Sequence, residues 1–168
     1  MNDELTRVDI EKMQAELDHR RLTLRPKLIA DVQTARAFGD LSENYEYKVA
    51  KQEQRRNDSR IHYLERMIAT AKVIDAPETP EDVVGLFSRV TFFNEKLQKE
   101  QTVRIVTTLR QDVLKGLISK ESPVAQALLG RRAGERVEIV VSPQMKYAVE
   151  IRSVEPGTDD ASLDISPF

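Results

Sequence analysis

The chain has 168 residues, 40% of them hydrophobic and 32% charged, enough for two small cores and too apolar for a wholly disordered protein. Lysine and arginine number 26 against 28 acids, a formal net charge of -2, so any nucleic-acid contact must come from a local basic patch. Cysteine is absent, which excludes disulfides, thiolate nucleophiles and thiolate zinc sites.

Met1-Asn2-Asp3-Glu4 lacks the basic-then-apolar order of a signal peptide, and no apolar run approaches the roughly 20 residues of a membrane span. A cytoplasmic protein with no membrane partner is expected. From Asp9 to Ala37, Ile10, Met13, Leu17, Leu24, Leu28 and Val32 recur mostly at spacings of three, four or seven, which predicts one narrow stripe and half of a coiled coil. Pro26 removes one backbone bond and crowds the preceding turn, so a kink is expected near Thr23 to Arg25.

Gly39-Asp40-Leu41-Ser42-Glu43-Asn44-Tyr45-Glu46-Tyr47 interrupts the helical pattern and reads as a hairpin tip. Gly39 suits a positive φ, Asp40 can cap the next helix, and Glu43 stands three residues on, where a capping box wants a carboxylate. A second reading is that Asp40 and Glu43 are presented to something outside the chain. The next helix, from about Glu43 to Val73, carries Ile61, Leu64, Ile68 and Ala71 on one stripe. Lys51 to Arg60 is almost wholly polar, which predicts few apolar contacts there. Charge pairs such as Glu53 with its basic neighbours would contribute only ~0–1 kcal/mol each. Two such helices of about 30 residues make a hairpin of ~45 Å; dimerisation and probing a partner's cleft both fit that pattern.

Asp75-Ala76-Pro77-Glu78-Thr79-Pro80-Glu81-Asp82 reads as a linker. Beyond it the period changes to two: Val90 and Phe92, Val103 and Ile105, Val137, Ile139 and Val141, then Tyr147, Val149 and Ile151 predict four half-buried strands. Ser122-Pro123, Val124 to Leu129 and Gly130 supply the cap, first-turn proline and terminal glycine of a short helix. The expected class is α+β: residues 1–75 an antiparallel helical hairpin with its tip at 39–45, a linker at 76–84, an 85–156 domain of antiparallel sheet and one short helix, and a disordered tail at 157–168. His19 and His62 lie on helices without ligand-spaced partners and read as surface or packing residues.

The run GDLSENYEY, followed by Lys48-Val49-Ala50-Lys51-Gln52-Glu53-Gln54, resembles the signature of the bacterial transcript cleavage factors, the GreA/GreB family. Ile118-Ser119-Lys120-Glu121-Ser122-Pro123-Val124-Ala125-Gln126-Ala127-Leu128-Leu129-Gly130 is similar to the family's second signature, and the likeness runs from about Leu5 to Val154. It implies an FKBP-like second domain and, as partners, bacterial RNA polymerase and the 3′ segment of backtracked RNA. It implies no catalysis by this chain alone. Asp40 and Glu43 would share a Mg²⁺ ion with polymerase, none being bound in isolation, since two carboxylates on a turn make a poor cage. Ser42, Asn44 and Tyr45 would support the tip, although Ser42 serves equally as an N-cap, and Tyr47 closes the hairpin. Basic residues at Arg36, Lys48 and Lys51 lie within about two turns of the tip, where they offset repulsion between carboxylates and phosphate. The resemblance assigns Arg36 and Lys51 to RNA, whereas Arg55 and Arg56 read as a solvated face. Ser122 and Pro123 fall in the loop by which the family grips polymerase; capping their own helix explains them as well.

Three places depart from the family's usual pattern: Val8-Asp9 in place of glycine, Leu109-Arg110-Gln111 in place of much of an acidic loop, and Ser142-Pro143-Gln144-Met145 in place of a glycine-rich turn. The second bears on the polymerase contact. Retention of both tip carboxylates favours rescue of arrested polymerase over a channel-binding paralogue that inhibits. A prolyl isomerase would need an aromatic-lined pocket built from Phe87, Phe92, Phe93 and Tyr147. A coiled-coil adaptor would be indifferent to the tip carboxylates. Nothing in the sequence signals self-association in either direction.

Overall fold

The computed structural model describes residues 3–39, 44–75 and 79–167. The chain divides into two compact units, one of Ile10–Ala71 and one of Asp3–Asp9 with Lys72–Pro167. The sequence reading assigned all of residues 1–75 to the hairpin; Asp3–Asp9 and the residues from Lys72 onward belong instead with the second unit.

α1 (Arg7–His19), whose residues from Ile10 onward lie in the helical unit, runs into a π-helical turn (Arg20–Leu24) and then α2 (Arg25–Arg36), and α3 (Tyr45–Thr70) returns. The π-turn sits at the predicted irregularity. Pro26 has no N–H to donate, and the ladder just before it widens so that the Arg25 N–H reaches the Arg20 carbonyl. Met13, Leu17, Val32 and Ala35 are buried, as are Ile61 and Leu64 of α3. Cross-links pair Glu16 with Arg60 and Arg20 with Asn57, and this falling order means that the helices run antiparallel. α3 is shorter than the expected Glu43–Val73 helix. Ala71 is already extended, with ψ 136°, because the next residues are claimed by a sheet.

That sheet, in the second unit, is a parallel pair of two-residue strands, β1 (Glu4–Leu5) and β2 (Lys72–Val73). It is continued by Lys72 N–H to the Asp3 carbonyl at 2.9 Å and Ile74 N–H to the Leu5 carbonyl at 2.8 Å. The main sheet has β3 (Arg89–Asn94), β4 (Lys99–Val106), β5 (Leu117–Ser119), β6 (Arg136–Val140) and β7 (Lys146–Glu155), in the order β5-β4-β3-β7-β6. The four predicted strands pair antiparallel, but β5 adds a parallel edge to β4. Its three residues were too few to show alternation. α4 (Pro123–Leu128) supplies Ala125 and Leu128 to a core with Val90, Phe92, Ile105, Val137, Ile139, Val149 and Ile151. Each such aliphatic side chain, fully buried, contributes about 1.5–3 kcal/mol.

Residues 157–167 were expected to be disordered, yet they pack on the second unit. Leu163 joins Phe87, Val106 and Leu117 in a small apolar cluster. Ser166 N–H donates to the Leu109 carbonyl at 2.6 Å and its hydroxyl to the Gln111 carbonyl at 2.7 Å. Gly157 lies so close to the Phe87 carbonyl that a Cβ there would stand 1.9 Å from the oxygen. Phe87 itself is fully buried at φ 69°, a conformation rarely taken by a bulky residue. Arg110 meets two of the acids that suggested a solvated tail, Asp159 through its carboxylate and Asp160 through its backbone carbonyl. Its guanidinium donates to Asp9 at 2.6 Å, to Thr6 Oγ1 at 3.1 Å, to the Asp160 carbonyl at 3.0 Å and to the Asp159 carboxylate. It also lies 5.0 Å from the Phe87 ring centroid.

Candidate functional site

The described residues on either side of the tip are ordered by one side chain. Asn44 is the N-cap of α3: its Oδ1 accepts the Tyr47 N–H at 3.0 Å, while its Nδ2 donates to the Ala35 carbonyl at 2.6 Å. One amide thus starts the returning helix and satisfies a carbonyl at the end of the outgoing one. The capping box predicted from Asp40 and Glu43 is not how α3 begins, because the cap lies one residue beyond Glu43. Asp40, Ser42 and Glu43 themselves lie outside the described residues. Gly39 has the expected positive φ, 135°, with nothing within 4 Å of a notional Cβ.

Of the basic residues predicted near the tip, Arg36 and Lys48 are exposed. Arg36 lies over the Tyr47 ring, 5.6 Å from its centroid, so Tyr47 does close the hairpin and holds a cation at the end of α2. Tyr45 is 76% exposed, free to meet a partner. Lys51 is half-buried and reaches Gln54 Oε1 at 3.4 Å, which leaves it less available than Lys48. Arg56 is exposed beside Glu53, as a solvated face requires.

Further from the tip, the polar stretch of α3 does something that the sequence reading missed. Asn57 and Arg60 are buried, at 2% and 3% exposure. Arg60 bonds Glu16 Oε2 at 2.9 Å, and Glu16 also faces Arg20 at 3.6 Å. Arg20 Nη1 donates to Asn57 Oδ1 at 2.9 Å, and Asn57 Nδ2 returns a bond to the Arg20 carbonyl at 3.3 Å. The available signal was that Asn57 continues the Ile61, Leu64, Ile68 stripe by one more step of four.

In the second unit, Ser122 caps α4, accepting the Ala125 N–H at 3.2 Å, and Pro123 occupies the first turn and is exposed. The capping reading of this pair therefore holds. Just before it, Lys120 bonds Glu4 and lies 3.3 Å from Glu121. The Lys120 hydrogen bond, with Lys72 beside it, holds the Glu4 carboxyl below its ordinary value. Burial pulls the Lys120 ammonium down, but its bonds to Glu4 and Glu121 more than offset this and leave it raised. Phe87 and Phe92 are core residues and Phe93 lies under Arg152, so the aromatic side chains that an isomerase pocket would need are committed to packing. Among the described residues no group of three or more His, Asp or Glu side chains could hold a metal ion, and no helix is long and apolar enough to cross a membrane.

Residues 4–73 match the family model described as "Transcription elongation factor, N-terminal", and residues 79–156 match "Transcription elongation factor, GreA/GreB, C-term". The chain is 39% identical over 150 residues to a protein of Mesoplasma florum named transcription elongation factor GreA, covering 89% of this chain and 96% of that protein. It is 44% identical over 140 residues to the GreA of Rhodopseudomonas palustris, covering 83% and 88%. Among solved structures, GreA factor homolog 1 of Thermus thermophilus aligns at 25% identity over 93% of this chain and 100% of its own, with a TM-score of 0.43.

Proposed function

We propose, from the premise that this chain belongs to the GreA/GreB family of transcription elongation factors, that it enters the secondary channel of bacterial RNA polymerase and stimulates the polymerase's own cleavage of backtracked RNA. The observation that carries this reading is that Asp40 and Glu43 fall in the sequence between α2 and α3, with Arg36 and Lys48 exposed on the flanking helix ends.

Two carboxylates three residues apart are hard oxygen donors of the kind Mg²⁺ takes, and two are too few to hold it alone. That favours an ion shared with polymerase. When bound, the ion would supply Lewis-acid stabilisation of charge on the cleaved phosphodiester. The chain's own part is delivery and orientation: Asp40 and Glu43 accept hydrogen bonds from the attacking water and fix its direction. Ser42 supports them, Asn44 sets where α3 starts, and Tyr45 offers an exposed ring to polymerase or RNA. Carboxylates approaching RNA are repelled by phosphate, and Arg36, Lys48 and Lys51 offset this along the extruded 3′ segment. Ser122 and Pro123 grip the channel rim while the same serine caps α4. The reaction belongs to polymerase; this chain is not an enzyme by itself.

The test is a defined backtracked complex with radiolabelled RNA. Adding the protein shortens the transcript, and Asp40→Ala with Glu43→Ala abolishes the effect while the variant still competes with the parent for polymerase. A transcript left at full length by the unsubstituted protein, or shortened equally by the double variant, overturns the proposal.

A further inference from the structure

The buried polar seam of the helical unit has no counterpart in the chemistry above. A wide π-turn carries an extra residue, so everything beyond it is presented on a face rotated from that of a continuous α-helix. Here the turn ends at Leu24, and α2, the arm leading to the tip, is twelve residues long, about 18 Å. The Arg20 carbonyl that closes the turn accepts the Arg25 N–H and also Asn57 Nδ2, while Arg20 Nη1 returns a bond to Asn57 Oδ1. Asn57 lies twelve residues beyond Tyr45, the first residue of α3. Arg20 stands sixteen residues before Arg36, the last residue of α2, so the pair joins the two helices several turns back from the tip. Outward of it, the described buried apolar side chains of both arms are only Val32 and Ala35, too small a seam to define register by themselves.

We propose that Asn57 is a positioning residue: its reciprocal pair with Arg20 holds the π-turn and sets the register of α2 against the outer half of α3, and so where the ends of α2 and α3 deliver the residues between them. This rests on the reading that Asp40 and Glu43 carry the function. A buried amide is a poor source of stability but a good source of uniqueness, since any slip strands its hydrogen-bonding groups. Arg20 Nε, buried without an acceptor among the described residues, is in keeping with a seam kept for register. A slip of one residue moves an arm by about 1.5 Å and turns it by about 100°. A misplacement of about 1 Å is enough to lose on the order of a hundredfold in rate when geometry is limiting.

The chain has no cysteine, so Thr34→Cys with Gln52→Cys places two spin labels on exposed positions of the outer arms, read as a pulsed-EPR distance distribution. In this background Asn57→Leu should keep its helical circular dichroism but shift or broaden the distribution. In the unlabelled protein the same change should lower the maximal stimulated cleavage rate about tenfold or more, with the half-saturating factor concentration unchanged. Asn57→Asp keeps the acceptor for Arg20 Nη1 but loses the donor to the Arg20 carbonyl, so both readouts should recover in part, to values between the parent's and the leucine variant's. Should Asn57→Leu not fold, Arg20→Leu poses the same question from the other helix. A distribution for the leucine variant that superimposes on the parent's overturns the proposal, and so does an aspartate variant as broad as the leucine one. If the parent stimulates no cleavage, the functional reading fails, and the distance distributions still decide the role of Asn57.

Discussion

Replacing Arg110 by methionine should unfold the second unit far more readily than the charge of this residue alone would suggest. The side chains of Arg110 and Asp9 are both fully buried and 2.6 Å apart. Methionine fills much of the space of the arginine stem but leaves the Asp9 carboxylate with two donors, Thr6 N–H at 3.0 Å and Thr6 Oγ1 at 3.3 Å. Neither carries charge. Removing one partner of a buried ion pair costs about 3–5 kcal/mol, because the other charge stays desolvated. Asp159 is 20% exposed, so it can turn to water and adds little. Against a typical total of about 5–15 kcal/mol, the loss is about a fifth or more of the unit's stability. With a urea m-value of about 1–3 kcal/mol/M, the midpoint should fall by on the order of 2 M. Urea unfolding, followed by amide exchange in β3 and β4, reads this directly. Adding Asp9→Leu should recover most of the loss, since an apolar pair no longer buries a charge. A single-variant loss below about 1 kcal/mol, or a double variant no better than the single one, would refute the reasoning.

Asn44→Ala should cost about 1 kcal/mol and speed amide exchange at Tyr47 while leaving β-strand amides protected; Asn44→Ser should recover the cap but not the bond to Ala35. Gly157→Ala forces a methyl group onto the Phe87 carbonyl and should destabilise the second unit by about 1–3 kcal/mol, seen as a lower melting temperature. Glu4 has a folded pKa below its unfolded one, so its ion pair with Lys120 contributes above the ordinary glutamate value and is lost as pH falls through the lowered one. A carboxyl ¹³C titration should show Glu4 depressed in the parent, and Lys120→Met should return it toward the ordinary value.

What the sequence made legible follows the range of the interactions. Alternation at Val90 and Phe92 or Val137 and Ile139 reports a face buried along one strand, and those strands appear where expected. Pro26 acts on the turn beside it, and the irregularity is where the proline requires it. The α3 cap was misplaced because Asp40, Ser42 and Asn44 are all competent locally; Asn44 wins with a second bond to Ala35 nine residues away. The two-residue strands β1 and β2 were invisible, since their partners are some 68 residues apart in sequence. The tail was misread for the same reason: Asp159 counts as a solvating charge until Arg110, 49 residues earlier, is seen to need it. Of the candidate site, spacing put Arg36, Tyr47 and Lys48 beside the tip; Arg36 lies over the Tyr47 ring and Lys48 is exposed. Spacing did not find Asn57, because counting an apolar stripe treats a polar residue as a gap.

Both polar seams now make sense of sequence features that looked like departures or noise. Asp9 and Arg110 each stand where the family's usual pattern has something else, and each alone would place a charge in a core. Together they form a bonded pair inside the second unit, and Thr6, Asp159 and the Asp160 carbonyl complete its coordination. In the hairpin, Arg20, Asn57, Arg60 and Glu16 form the corresponding set. Buried pairs of this kind are weak sources of net stability compared with the apolar residues that could replace them. Their presence at two places where chain geometry must be unique, the root of the first helix and the turn that aims its outer arm, is therefore better explained by specification than by stabilisation. It follows that apolar replacement of a whole seam should leave each unit as stable as before and cost it only the register.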